Sequence, residues 1–234
     1  METIKQNPLV KKVGFNRVVL CGVLILMYIF FSILVPAVTG SGFAGMSHIL
    51  GALNYAYFLG FLSLGVTFVI ATGGIDFSIG PVMFCCGLIS GYCLTMYNVP
   101  MAVCLLISIA IGTLFGIWNG YLVAYWSVPP FIVSMASMNI AKGVAAVFTK
   151  TQSVSWPLST DPVYGWIRNI VSYHGFPVGL VIFLIAAFIC MIVLNNTRPG
   201  RYILCLGSNR EAVRLSGVDT KKWEMLAYMI CGTL

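Results

Sequence analysis

The chain has 234 residues, of which 59% are hydrophobic and only 8% charged, with a net charge of +7. A soluble domain carries about a quarter of its residues as charges, so the composition excludes an ordinary water-soluble fold. The excess of basic residues gathers at Lys5, Lys11, Lys12 and Arg17 and again from Arg198 to Lys222, without interleaved aromatics, which points to cytoplasmic loops of a membrane protein and not to nucleic acid.

The first apolar run, Val18 to Val38, follows the N-terminal basic cluster and exceeds the ~7–15 residues of a signal-peptide core, so it reads as an uncleaved span. Five further runs near the ~20 residues needed to cross a bilayer lie at about 49–72, 79–97, 100–125, 128–149 and 175–195. A seventh begins near Trp223. The expected fold is an all-α, polytopic transmembrane bundle of six complete spans and the start of a seventh, in a single domain over 1–234. With the N-terminus in the cytoplasm, six crossings return the chain there at Asn195, where Arg198, Arg201, Arg210, Arg214, Lys221 and Lys222 follow. The outer connection from Lys150 to His174 carries Trp156, Tyr164, Trp166 and Tyr173, an interfacial aromatic belt.

Asp76 is the only charged side chain between Arg17 and Lys142, set in "ATGGIDFSIGPV". A carboxylate facing lipid costs roughly 2.5–3.5 kcal/mol on insertion scales, so Asp76 must face a polar interior, water or backbone amides. Gly73 and Gly74 permit a turn, after which Asp76 or Ser78 can cap the third span, with Pro81 in its first turn. Two readings follow: a capped break between helices, or a break that lines a passage, since irregular backbone at membrane depth needs protein or water to satisfy it. A second break, at Pro129 and Pro130, starts a helix that places Ser134, Ser137 and Ala141 on one small-residue face. Asn119 and Asn139 are expected as buried amides that bond across helices or meet a polar solute, and Lys142 as a side chain that snorkels outward. The substrate-path candidates are Asp76, Ser78, Asn119, Ser134 and Asn139.

Glycines at 112, 116 and 120, and at 87 and 91, recur at four-residue spacing and predict close backbone approach by neighbouring helices. The cysteines of the apolar runs show no C-x-x-C pair and read as small packing residues; His48 and His174 are isolated, so no metal or other cofactor is expected. No G-x-x-x-x-G-K-[ST] loop occurs, and the single acid within the spans supplies no carboxylate relay for ion coupling. A transporter of this composition takes its energy from a partner.

Three stretches, "GVTFVIATGGIDFSIGPV" (Gly65 to Val82), "GIWNGYLVAYWSVPPFIVSMASMN" (Gly116 to Asn139) and "RPGRYILCLGSNREAVRLSGVDTKKWEMLAYMICG" (Arg198 to Gly232), resemble the membrane permeases of bacterial ABC importers of the ribose, galactose and xylose type. The first is similar to that family's Gly-Gly-Ile-Asp-Leu-Ser signature, with Phe77 in place of Leu. The resemblance implies a non-enzymatic inner-membrane subunit, paired with a second permease subunit, that receives a monosaccharide from a periplasmic binding protein and couples to a separate ABC ATPase. It also implies that Glu211, Ala212 and Gly217, in a cytoplasmic loop at about 196–222, match the Glu-Ala-x-x-x-x-Gly coupling spacing. Family members continue beyond the point matching Leu234, so a truncated product is expected. A secondary facilitator, or a degenerate fragment that does not transport, is the alternative, and the identity of the sugar is not written in the chain.

Overall fold

The computed structural model describes residues 15–40, 45–158, 161–166 and 178–234. The basic residues Lys5, Lys11 and Lys12, and the belt and loop residues Arg168, Tyr173 and His174, lie outside the described residues. In chain order the helices are α1 (Phe15–Thr39), α2 (Met46–Ala71), α3 (Ile79–Tyr97), α4 (Met101–Ala124), α5 (Pro130–Phe148), α6 (Val178–Asn196), α7 (Arg198–Ser208), α8 (Arg210–Leu215) and α9 (Thr220–Thr233), with no strand among the described residues. Six are long and apolar enough to cross a membrane: Val18–Val38, His48–Ala71, Ile79–Tyr97, Met101–Ala124, Pro130–Phe148 and Val178–Asn196. The fold is the expected all-α polytopic bundle.

The chain divides into two compact units, residues 1–52 and 53–234. In the first, α1 is apolar on all sides. Gly40, at φ +69°, follows α1 and returns its amide to the Pro36 carbonyl at 3.0 Å, a left-handed stop that a glycine accepts without strain.

In the second unit the core forms where α3, α4 and α5 meet, around Val82, Cys85, Ile89, Leu94, Met101, Cys104 and Ala141. A second cluster joins Val69 of α2, Val123 of α4 and Val133 of α5 to Tyr228 and Cys231 of α9. A third sets Phe68 of α2 against Ile203 of α7 and Ala227 of α9. All eight cysteines are free, and Cys85, Cys86, Cys93, Cys104 and Cys231 are buried as packing residues; Cys21 and Cys205 are exposed.

The glycine ladder of α4 meets α9. A Cβ on Gly116 would lie 2.5 Å from the Tyr228 carbonyl oxygen, one on Gly120 would lie 2.9 Å from Met225 Cα, and one on Gly112 would strike the Gly232 carbonyl. Gly232 answers from α9, with Gly116 Cα 3.0 Å from its Cβ position, and Thr113 and Thr233 hydroxyls bond across the seam at 3.0 Å. The backbones therefore touch over two turns, as the spacing predicts. For α3 the expectation fails: a Cβ on Gly87 would meet nothing within 4 Å, and Gly91 makes room for Val154 and the Trp156 indole, side chains of an irregular segment and not of a helix.

α7 lies in a stretch expected as loop. Thr197 opens it by accepting from the Gly200 amide at 3.3 Å, and Gly200 is required because a Cβ there would strike the Val193 and Leu194 carbonyls at the end of α6. Gly200, Ile203 and Leu206 are its buried face. The seventh apolar segment begins at Trp223 as expected, and its helix starts three residues earlier, at Thr220, because Asp219 Oδ1 accepts from the amides of Lys221 and Lys222 at 3.1 and 3.3 Å and caps α9.

Candidate functional site

α2 ends at Ala71 in a turn in which Gly73 takes φ +84° and the Gly74 amide donates to the Val69 carbonyl at 3.1 Å. The chain then runs without helical bonds to Ser78, and Asp76 Oδ1 accepts both the Ser78 amide at 2.8 Å and the Ser78 hydroxyl at 2.6 Å. This is an Asx-type turn that carries the backbone into α3. Of the two residues expected to cap, Asp76 takes the amide; Ser78, at the N-cap position, makes no side-chain cap.

The Ser78 hydroxyl is occupied elsewhere. It accepts from Asn119 Nδ2 of α4 at 2.9 Å, and Asn119 Oδ1 in turn accepts from the Ser137 hydroxyl of α5 at 2.5 Å. Every bond runs in one direction, Ser137 to Asn119 to Ser78 to Asp76, and the donor sequence ends on the carboxylate. All four side chains are buried. Three stretches separated in sequence, the break, α4 and α5, are thus tied by side-chain bonds shielded from water, where an unmade bond is costly.

Three of the five path candidates, Asp76, Ser78 and Asn119, are brought together. Ser134 is buried on the same face of α5, but its hydroxyl donates to the Phe131 carbonyl of its own helix at 3.1 Å. Asn139 corrects the expectation of a buried amide: it is exposed, and its Nδ2 donates to the Met135 carbonyl one turn back at 3.0 Å. Ser137 was named on the small-residue face and not as a site, yet it is the residue that carries α5 into the chain of bonds. Lys142 is exposed. Phe77 of the break stacks edge-on to Phe131 with ring centroids 5.9 Å apart, a further contact between the break and α5.

Asp76, Ser78 and Asn119 form the polar end of a cavity of about 350 Å³. Its walls come from α2 (Phe58, Phe61, Leu62), α3 (Ile79, Val82, Met83), α4 (Ile109, Phe115, Gly116) and the end of α9 (Cys231 to Leu234). Among the described residues Asp76 is the one acidic side chain on the wall, and no Lys, Arg or His side chain joins it. Asp76 Oδ1 holds both hydrogen bonds, and Oδ2 receives none from the described residues. The buried Tyr228 hydroxyl also has no partner among the described residues; it lies 2.6 Å from where a Cβ on Gly74 would sit. No group of three or more His, Cys, Asp or Glu among the described residues is arranged for a metal.

The coupling candidates occupy a separate place. Asn209 caps α8 by accepting from the Ala212 amide at 3.0 Å, and Gly217, at φ +81°, follows its C-terminus, the left-handed position that favours glycine. Val213 is buried, whereas Glu211, Ala212, Arg214 and Leu215 are exposed. Arg214 donates to Glu211 through Nε at 3.0 Å and Nη2 at 2.6 Å, and this hydrogen bond holds the Glu211 carboxyl below the usual carboxylate range. Arg210 instead turns to Glu224 of α9, with Nη1 bonded to Oε1 at 2.9 Å and Nη2 to Oε2.

Comparison with known proteins adds a family. Residues 48–234 match the family described as "Branched-chain amino acid transport system / permease component". The chain is similar to the galactofuranose transporter permease protein of Escherichia coli K12, 32% identical over 180 residues, covering 77% of this chain and 51% of the relative. It is also similar to the ribose import permease protein of the same organism, 32% identical over 174 residues, covering 74% and 54%. The fructose import permease protein of Bifidobacterium longum is 29% identical over 191 residues, covering 78% and 55%. The chain spans about half the length of these relatives. No solved structure matches it.

Proposed function

The chain belongs to the permease family of branched-chain amino acid transport systems, and from that premise we propose that it is the membrane permease subunit of an ATP-binding-cassette importer whose solute is a monosaccharide of the ribose, galactose or xylose kind. One observation carries the choice of solute. Among the described residues the cavity wall carries one acidic side chain, Asp76, whose Oδ2 receives no hydrogen bond from them, and no basic side chain. The ammonium of an amino acid could pair with Asp76, but its carboxylate would meet no cation among the described wall residues, which is costly in an apolar chamber. A neutral sugar brings hydroxyl donors for Oδ2 and apolar ring faces for the walls, and about 350 Å³ is within the range of small-molecule sites. The relatives named for ribose, galactofuranose and fructose support the same choice.

In this reading residues 1–234 are a single permease domain in the inner membrane, with the N-terminus and residues 196–222 in the cytoplasm. The basic residues from Arg198 to Lys222 support that orientation. Asp76, Ser78 and Asn119, with Ser134 and Ser137 on α5, belong to the solute path, and Asn139, exposed on another face of α5, does not. Glu211, Ala212 and Gly217 belong to the surface that meets the ATPase, where exposed Leu215 adds an apolar contact beside charged residues. ATP is hydrolysed by that partner, solute arrives from a periplasmic binding protein, and a second permease subunit completes the path.

The test is uptake by the complete permease with its ATPase and binding protein in liposomes, offered labelled ribose, xylose, galactose and leucine. ATP-dependent uptake of a sugar and not of leucine is expected. Leucine uptake would overturn the choice of solute, and sugar uptake without ATP would favour a facilitator.

A further inference from the structure

Glu224 has no part in the proposed solute path, yet it is a carboxylate buried in the second turn of α9, with 7% of its side chain exposed. Its partner is Arg210, the first residue of α8, whose guanidinium reaches across the Gly217 turn and holds both carboxylate oxygens. A two-point guanidinium–carboxylate contact fixes orientation as well as distance. Only the Glu224 side of the pair is buried, Arg210 keeping 52% of its side chain exposed, and a pair screened on one side adds little stability, so stability alone does not account for it.

What lies beyond Glu224 gives the pair a consequence. One turn further along the same face of α9 stands Tyr228, 1% exposed. Its backbone and Cβ press on the Gly116 and Gly120 positions of α4, and its hydroxyl lies against Gly74, two residues before Asp76. From Arg210 the route runs through the ion pair to Glu224, along one turn of α9 to Tyr228, and from its hydroxyl to the Gly74 position.

We propose that the Arg210–Glu224 pair is the positioning link that makes α8 and α9 move as one body, so that a displacement of α8 by a docked ATPase is delivered through Tyr228 to the Asp76–Ser78 break. The link rests on the docking of α8 stated above. Glu211 and Arg214 cannot serve in its place, because among the described residues their side chains bond to each other within α8.

The test uses the complete permease with its ATPase and binding protein in liposomes, measuring ATPase association, ATP hydrolysis and solute uptake for Arg210→Lys, Glu224→Gln and the charge reversal R210E/E224R. Arg210→Lys keeps the charge and loses the two-point contact, and it decides the matter if Glu224→Gln does not fold. Both single variants are expected to bind the ATPase as the parent does while uptake per ATP hydrolysed falls about tenfold, the scale of a modest coupling free energy, and the charge reversal is expected to recover part of that ratio. A merely structural pair would lower thermal stability and leave uptake per ATP unchanged in the molecules that remain folded; that result overturns the link. Glu211→Lys separates the two ideas: lost association there, with a parental ratio in Arg210→Lys and Glu224→Gln, keeps the docking and removes the link. Normal association and uptake in Glu211→Lys would remove the docking, and the link with it.

Discussion

In the sequence of bonds from Ser137 to Asp76, the links through Asn119 join different elements, and each of the four side chains is buried; in α8, Glu211 and Arg214 bond within one helical turn while 62% and 64% of their side chains remain exposed. The two arrangements use similar chemistry in different surroundings. The interior bonds join buried groups, so their loss strands buried polar atoms. The exposed pair trades water for protein at little net gain. Geometry at the break is therefore set by the interior network, whereas the α8 pair leaves its helix free to present a charged surface.

The comparison breaks most severely where the interior cannot relax. Gly116→Val places a branched side chain against the Tyr228 backbone, and a cost at or above about 3 kcal/mol is expected; monodisperse elution in detergent should be lost. Gly87→Ala, which meets nothing within 4 Å, should elute as the parent does. Next comes Asn119→Leu, which removes the bonds to Ser78 and Ser137 and should cost about 1–3 kcal/mol, read as a lower melting temperature in detergent. Asp76→Asn sharpens the contrast between shape and charge. An amide oxygen can accept the two Ser78 bonds and caps about as well, so stability should change by less than about 1 kcal/mol. Solute uptake should fall; parental uptake would reduce Asp76 to a cap.

The smallest effect belongs to Glu211→Gln, for which only a slight fall in melting temperature is expected at neutral pH, since the pair is exposed. Its pH dependence has a definite sign. Because the Arg214 hydrogen bond lowers the Glu211 carboxyl from its ordinary value of 4.5, the stabilisation is complete above that value and is lost as pH falls through the lowered one. Acid titration of unfolding should show this small loss in the parent and not in Glu211→Gln.

Much of the fold was legible because hydropathy over about 20 residues is a strong signal. Helix ends differ from the ends of the apolar runs where caps decide, as at Asp219 before α9. α7 was missed because its buried face holds few apolar residues, chiefly Ile203 and Leu206, among polar ones that read as loop. Asn139 lies two residues from Ser137, about 200° around the helix, so helical spacing alone puts the two on different faces. The spacing of Gly112, Gly116 and Gly120 announced a close neighbour but not which one, and Gly91 faces a tryptophan in an irregular segment that periodicity does not register. Asp76, Ser78 and Asn119 were each suspicious as polar groups among apolar ones. Their bonding order depends on how α4 and α5 are rotated, and no local pattern carries that.

The seam between α4 and α9 has a consequence in time. About 100 residues separate the two helices, and at cellular synthesis rates the ribosome delivers α9 roughly 5–20 s after α4 is complete. For that interval Gly112, Gly116 and Gly120 form an open furrow shaped for a backbone not yet made. Helix insertion is therefore finished long before assembly, and slower translation lengthens the period in which another helix with small residues can occupy the furrow first.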